Sequence, residues 1–141
     1  MRFIAHRGNW QGSNPDYENK IEYLQAALDK QFDVECDLIG YRGKLYFGHD
    51  EPNEIVNREF ISNSSVFCHA KNLEALLLLA DMPEITYFWH QDDTVTLTSQ
   101  GHMWCLPGVH PTHKQAIWLD LGNIPLPENT YGIYGICGDK V

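Results

Sequence analysis

Helical periodicity runs out of this chain at about Gln91, whereas strand-like segments continue almost to its end, and that asymmetry limits the folds open to it more than any other feature. Before Gln91, Arg2–His6, Phe32–Ile39, Val66–Lys71 and Ile85–Trp89 read as strands, with helical spacing between several of them. After it, Met103–Leu106, Ile117–Leu121 and Tyr131–Cys137 read as further strands, joined by loops rich in Gly, Pro, Asn and Thr. Alternating strand and helix implies parallel pairing. A complete βαβ unit takes about 30 residues and an eightfold barrel about 250, so the 141 residues here cannot supply eight standard units. The expected fold is α/β: a contracted or irregular TIM-like (β/α) barrel, a single domain over 1–141, with helices missing in the C-terminal half.

Local signals fill in the first half. Ile21, Leu24, Ala27 and Leu28 fall at helical spacing, with Asp16 or Asn19 available as the cap. Asn72 is placed to cap a second helix through Leu79, which must end before Pro83. Arg42-Gly43-Lys44 reads as a tight turn, and Leu45–Phe47 as a hairpin arm that leaves the barrel order and delivers His49 and Asp50.

Composition narrows the function. Ten Lys and Arg against nineteen Asp and Glu give a formal charge of −9, which repels a phosphate backbone and argues against nucleic acid as a partner. An anionic substrate would need a metal or a few placed cations. No apolar run approaches the roughly 20 residues of a membrane span, and the chemistry begins at His6 with no leader-like segment ahead of it. Cys36, Cys68, Cys105 and Cys137 are widely separated inside apolar runs, as buried free thiols in a reducing compartment would be. A soluble, cytoplasmic protein is expected.

The chemistry-bearing residues lie mostly in the first half. On a strand, i and i+2 share a face, so Glu35 and Asp37 point the same way with Cys36 opposite. Two carboxylates on one face repel each other, and they suit oxygen ligation of a hard divalent cation. His6-Arg7-Gly8, at the end of the first strand, adds an imidazole that titrates near neutrality and a guanidinium able to hold phosphate bidentately.

Read in order, I-A-H-R-G at 4–8, E-N at 18–19, V-E-C-D at 34–37 and G-H-D at 48–50 resemble the N-terminal signature of the glycerophosphodiester phosphodiesterase family, and G-I-C-G-D at 135–139 resembles its last barrel strand. The resemblance implies a metal-dependent phosphodiester hydrolase in which His6 and His49 are the catalytic acid and base. It makes Glu35 and Asp37 metal ligands and Arg7 a phosphate contact, with a small glycerophosphodiester as substrate. It implies Mg²⁺ or Ca²⁺ as cofactor. The family's next strand carries Glu-x-Lys, where this chain has His69-Ala70-Lys71. Lys71 then matches the phosphate-neutralising lysine. His69 stands in place of a third carboxylate, either as a ligand that tilts preference toward Mn²⁺, Zn²⁺ or Fe²⁺, or as the mark of a degenerate domain that binds phospho-ligands without turning them over. A Schiff-base aldolase on Lys71 would leave both histidines and the E-x-D unexplained.

Strand ends elsewhere offer His90, Gln91, Asp92, Asp120 and Asp139, positions where barrel enzymes keep active-site residues. Trp89, Trp104 and Trp118 are candidates to line the mouth. In Ala116–Leu121, alternation with Asp120 facing the cavity turns Ile117, Leu119 and Leu121 outward with no flanking helix to cover them, so a homodimer is expected on that face.

Overall fold

The computed structural model describes all residues, 1–141. Nine strands form one sheet: β1 (Arg2–His6), β2 (Asp33–Tyr41), β3 (Lys44–Phe47), β4 (Val66–Ala70), β5 (Thr86–Phe88), β6 (Val95–Leu97), β7 (Met103–Cys105), β8 (Ala116–Asp120) and β9 (Gly135–Gly138). Eight of them run in the order β5-β4-β2-β1-β9-β8-β7-β6, and β3 pairs off this path with β2. All neighbours along the path are parallel except β6, which returns antiparallel to β7. Three helices accompany them: α1 (Ile21–Asp29), α2 (Arg58–Ile61) and α3 (Leu73–Ala80). Every helix precedes β5.

The sheet curls into a nearly closed barrel. Ile4, Phe67, Phe88, Trp104, Ile117 and Cys137, from six different strands, pack against one another in its interior. β5 and β6 face each other across the remaining seam without a regular ladder. There the Ser99 amide donates to the Tyr87 carbonyl at 2.7 Å, the Tyr87 amide to Ser99 Oγ at 2.9 Å and Ser99 Oγ to the Ile85 carbonyl at 2.9 Å. The Thr96 hydroxyl adds a bond to the Trp89 carbonyl.

Outside, α1 and α3 cover β2 and β4 with a second apolar layer that includes Leu24, Ala27, Val34, Cys36, Cys68 and Leu79. Asn72 caps α3 by accepting from the Ala75 amide, and also bonds the amide and carbonyl of Gly40 on β2. Gly40 must be glycine, because a Cβ there would meet the Ala75 nitrogen at 2.5 Å. No helix is long and apolar enough to cross a membrane.

Several sequence-based expectations change. The cap of α1 is neither Asp16 nor Asn19 but Lys20, with no side-chain bond, because the Asn19 side chain is spent on Asp37. The short β6 and α2 are additions, and the last strand starts at Gly135 rather than Tyr131. On β8 the faces are reversed. Ile117 lies in the barrel interior with Leu119 against it, whereas Trp118 points outward into a cluster with Ile133 and Ile136. The chain's own loops cover that outer face: the Trp118 indole donates to the Pro111 carbonyl and its ring packs on His110. Those aliphatic residues therefore give no reason to expect a second copy, and the argument for a homodimer on that face falls away.

Candidate metal centre

Parallel strands all present their C-terminal ends at one mouth, so the residue two beyond each interior apolar side chain rises one layer toward it. Ile4 is followed in this way by His6, Phe67 by His69, Phe88 by His90, Trp104 by Leu106, Ile117 by Leu119 and Cys137 by Asp139. The register sets His6 level with Glu35 and Asp37 level with His69. Apolar core below and ionisable groups above are thus one pattern, written by the same alternation.

Glu35, Asp37 and His69 each offer a ligand atom, and the three atoms lie within 4.8 Å of one another. Both carboxylates are almost wholly buried. His69 stacks on Phe88 at 4.7 Å, and its Nε2–H donates to the His90 carbonyl at 2.9 Å. A carbonyl only accepts, so the proton of a neutral ring stays on Nε2, and Nδ1 faces Asp37 at 3.4 Å and Glu35 at 3.7 Å with its lone pair free. A backbone carbonyl fixing the far nitrogen is how metal-binding histidines are held. Two oxygens and one imidazole nitrogen therefore fit a divalent cation.

Without an ion, positive charge comes from the protein. Burial lowers the His69 pKa, but contact with Asp37 and Glu35 outweighs it and lifts it to about 9. Burial raises that of Asp37, but His69, Arg7 and Asn19 outweigh it and hold it at about 2. Arg7 Nε sits 3.0 Å from Asp37, a charge contact that is not aligned as a hydrogen bond, and Nη1 lies 3.3 Å from Glu18. The Arg7 backbone, at φ +53°, aims its amide at Glu35 Oε2 3.1 Å away. The expected phosphate contact is thus engaged with carboxylates, although it also borders open space.

His6, at the end of β1, meets a residue from the far end of the chain that follows the neighbouring strand β9. Its Nδ1 is 2.7 Å from Asp139 Oδ1, and its Nε2 is 3.9 Å from Glu35. An ionised carboxylate only accepts, so Nδ1 carries the proton and a neutral ring keeps its lone pair on Nε2. Burial lowers the His6 pKa, but the bond to Asp139 and the charge of Glu35 raise it on balance. Burial raises that of Asp139, but His6 and Asn9 bring it below the ordinary carboxylate value. Asn9, fully buried, ties Asp139 to Glu18 by donating to both at 2.9 Å.

His49 arrives on the hairpin arm, half-exposed, with Nδ1 2.8 Å from Asp50. The Gly48 amide donates to the Asp37 carbonyl, and the Glu51 carbonyl folds so closely over Gly48 that a Cβ there would lie 2.0 Å from its oxygen. His6 and Arg7 form a wall between two cavities. One, of about 450 Å³, is lined by His49 together with His6 and Asp139. The other, of about 250 Å³, brings Glu35, His69 and Lys71 to the opposite side of the same wall, with His90 and Gln91. Asp37 lies beneath Arg7, lining neither.

The remaining strand-end candidates divide. Asp120 lines a neighbouring depression with Lys140, and Asp92 is exposed. Of the three tryptophans only Trp104 lines a cavity at the mouth; Trp89 and Trp118 pack in outer layers. Asn9 carries no motif signal beyond its closeness to H-R-G, whereas Asn19 is the second residue of the E-N motif but reads as a helix cap. The pairing of Asp139 with His6 has no local signature, since 133 residues separate the two. No family model, curated protein or solved structure matches this chain.

Proposed function

We propose that this chain is a metal-dependent phosphodiesterase acting on small glycerophosphodiester-like molecules, built on a contracted relative of the (β/α)₈ barrel. The observation that carries the reading is the convergence of the Glu35, Asp37 and His69 donors within 4.8 Å, beside a histidine whose tautomer Asp139 sets. Glu35, Asp37 and His69 would hold the ion, which supplies positive charge against a phosphoryl oxygen. Mn²⁺, Zn²⁺ or Fe²⁺ suits an imidazole-containing set better than Mg²⁺ or Ca²⁺. Lys71, on the same side of the wall as Glu35 and His69, neutralises a phosphate oxygen, and Arg7 does so wherever it exchanges Asp37 or Glu18 for the substrate.

His6 and His49 divide the proton transfers. One takes the proton of the attacking water or neighbouring hydroxyl as the new P–O bond forms, and the other protonates the departing alkoxide as the old P–O bond breaks. Four buried, unpaired cysteines suit a reducing, cytoplasmic setting.

A second reading is a phospho-ligand binding domain without turnover. It is favoured by the internal neutralisation of Glu35 and Asp37 through Arg7 and a protonated His69. Purified protein incubated with glycerophosphodiesters and each of Mn²⁺, Zn²⁺, Fe²⁺, Mg²⁺ and Ca²⁺ separates the two. Metal-dependent release of alcohol, lost in both His6→Ala and His49→Ala, supports the enzyme; saturable binding with no release under any metal supports the binding domain.

A further inference from the structure

The wall formed by His6 and Arg7 has differently lined space on each side. Toward His49, every residue lining the larger cavity except Pro15 and Gly48 carries a polar side chain. Four of these, Glu18, Asp50, Glu51 and Asp139, are carboxylates set against the single guanidinium of Arg7. Ser13, Asn19 and Asn53 add neutral hydrogen-bonding groups, and no aromatic ring other than imidazole is present. Such space repels a second anion, leaves an alkyl or aryl group without apolar contact, and offers a quaternary ammonium no aromatic face. It rewards hydroxyl and primary ammonium donors. The smaller cavity differs: beside the polar groups Glu35, His69, Lys71, His90 and Gln91 it has an apolar side made by Trp104, Leu106 and Leu119.

We propose that the two cavities are separate subsites for the two ester arms of one phosphodiester. The larger takes a non-anionic arm rich in hydrogen-bond donors, a polyol or a primary ammonium alcohol. The smaller takes a compact, partly apolar arm, with the phosphate bridging at His6 and Arg7. This deepens the phosphodiesterase reading and rests on its placement of the phosphate, but its test does not require turnover.

Two monoesters probe the arms one at a time: glycerol 3-phosphate and phenyl phosphate, titrated calorimetrically into the full chain with Mn²⁺ present. Asn53→Leu changes an exposed residue of the polar cavity, and Leu106→Asn changes a half-buried residue of the mixed one. The expected pattern is crossed. Asn53→Leu weakens glycerol 3-phosphate about tenfold and leaves phenyl phosphate unchanged, and Leu106→Asn does the reverse, as loss of one hydrogen bond or one apolar contact predicts. Phosphoethanolamine should follow glycerol 3-phosphate, and phosphocholine should bind more weakly than phosphoethanolamine. Parallel losses for both ligands, no loss for either, or no binding by the parent protein would overturn the proposal. A crossed pattern without hydrolysis of any diester would instead sink the phosphodiesterase reading and leave the two subsites standing.

Discussion

His69 is where charge, tautomer and metal chemistry meet. Its pKa of about 9 lies above the ordinary 6.5, so in the metal-free protein it contributes stability that is full below pH 6.5 and is lost as pH rises through 9. Asp37, held at about 2 against an ordinary 3.8, contributes above pH 3.8 and loses that contribution as pH falls through 2. Urea midpoints of metal-free protein should therefore be level from these two groups between those limits and fall from 6.5 toward 9. Metal affinity should run the other way. An ion must displace the Nδ1 proton, so binding strengthens by about tenfold per pH unit below pH 9, and His69→Gln should flatten that slope. A pH-independent affinity in the parent protein would exclude His69 as a ligand. Asp139→Asn keeps size and shape but removes the charge that favours Nδ1–H on His6. Turnover should drop about 100-fold or more with little change in KM, and the far-ultraviolet circular dichroism should be unchanged.

At the level of elements, the hairpin arm is the most exacting part of the site. Because the Glu51 carbonyl occupies the place of a Cβ, Gly48→Ala must open the loop that carries His49. A stability loss of about 1–3 kcal/mol in urea unfolding is expected, together with a proportionally greater loss of turnover. Normal turnover would mean that His49 has no part in catalysis. The same arm shows what the sequence made legible. A tight Arg-Gly turn followed by apolar residues announces a hairpin, and the strands carrying His6, Glu35, Asp37 and His69 follow from alternation alone. Alternation also misled: Ala116–Asp120 has apolar residues on both faces, and choosing its inner face through Asp120 turned Ile117 the wrong way. β6 spans Val95–Leu97, with two half-buried positions and one exposed, too short and too mixed to show a period of two. Asn19 looks like a helix cap in sequence, but a buried carboxylate competes for its side chain and wins, since an unpartnered charge costs more than a missing cap. Asp139 could be suspected as a strand-end acid; its choice of partner depends on β9 pairing beside β1, in the register that brings Ala5 level with Gly138.

For the molecule as a whole, closure depends on the β5–β6 seam, where single bonds replace a ladder. Ser99 Oγ makes two of them, to the Tyr87 amide and the Ile85 carbonyl. Ser99→Ala should leave the fold intact but speed amide exchange at Tyr87 by about tenfold, with little effect at Ile4 or Cys137, on β1 and β9 in the opposite, laddered part of the wall. Uniform acceleration would show that the seam is no weaker than the rest.

Elsewhere the wall closes differently, and the bond between His6 and Asp139 acquires a meaning in time. β9 lies between β1 and β8, so the first strand gains its second neighbour only when the last strand inserts. Glu35, Asp37 and His69 come from β2 and β4, which pair directly and can assemble early. The orientation of His6 waits for a partner 133 residues away, and contacts of that separation form late. An incompletely folded chain would thus hold the ligands for an ion before it could steer a proton, and competence for chemistry would coincide with completion of the fold.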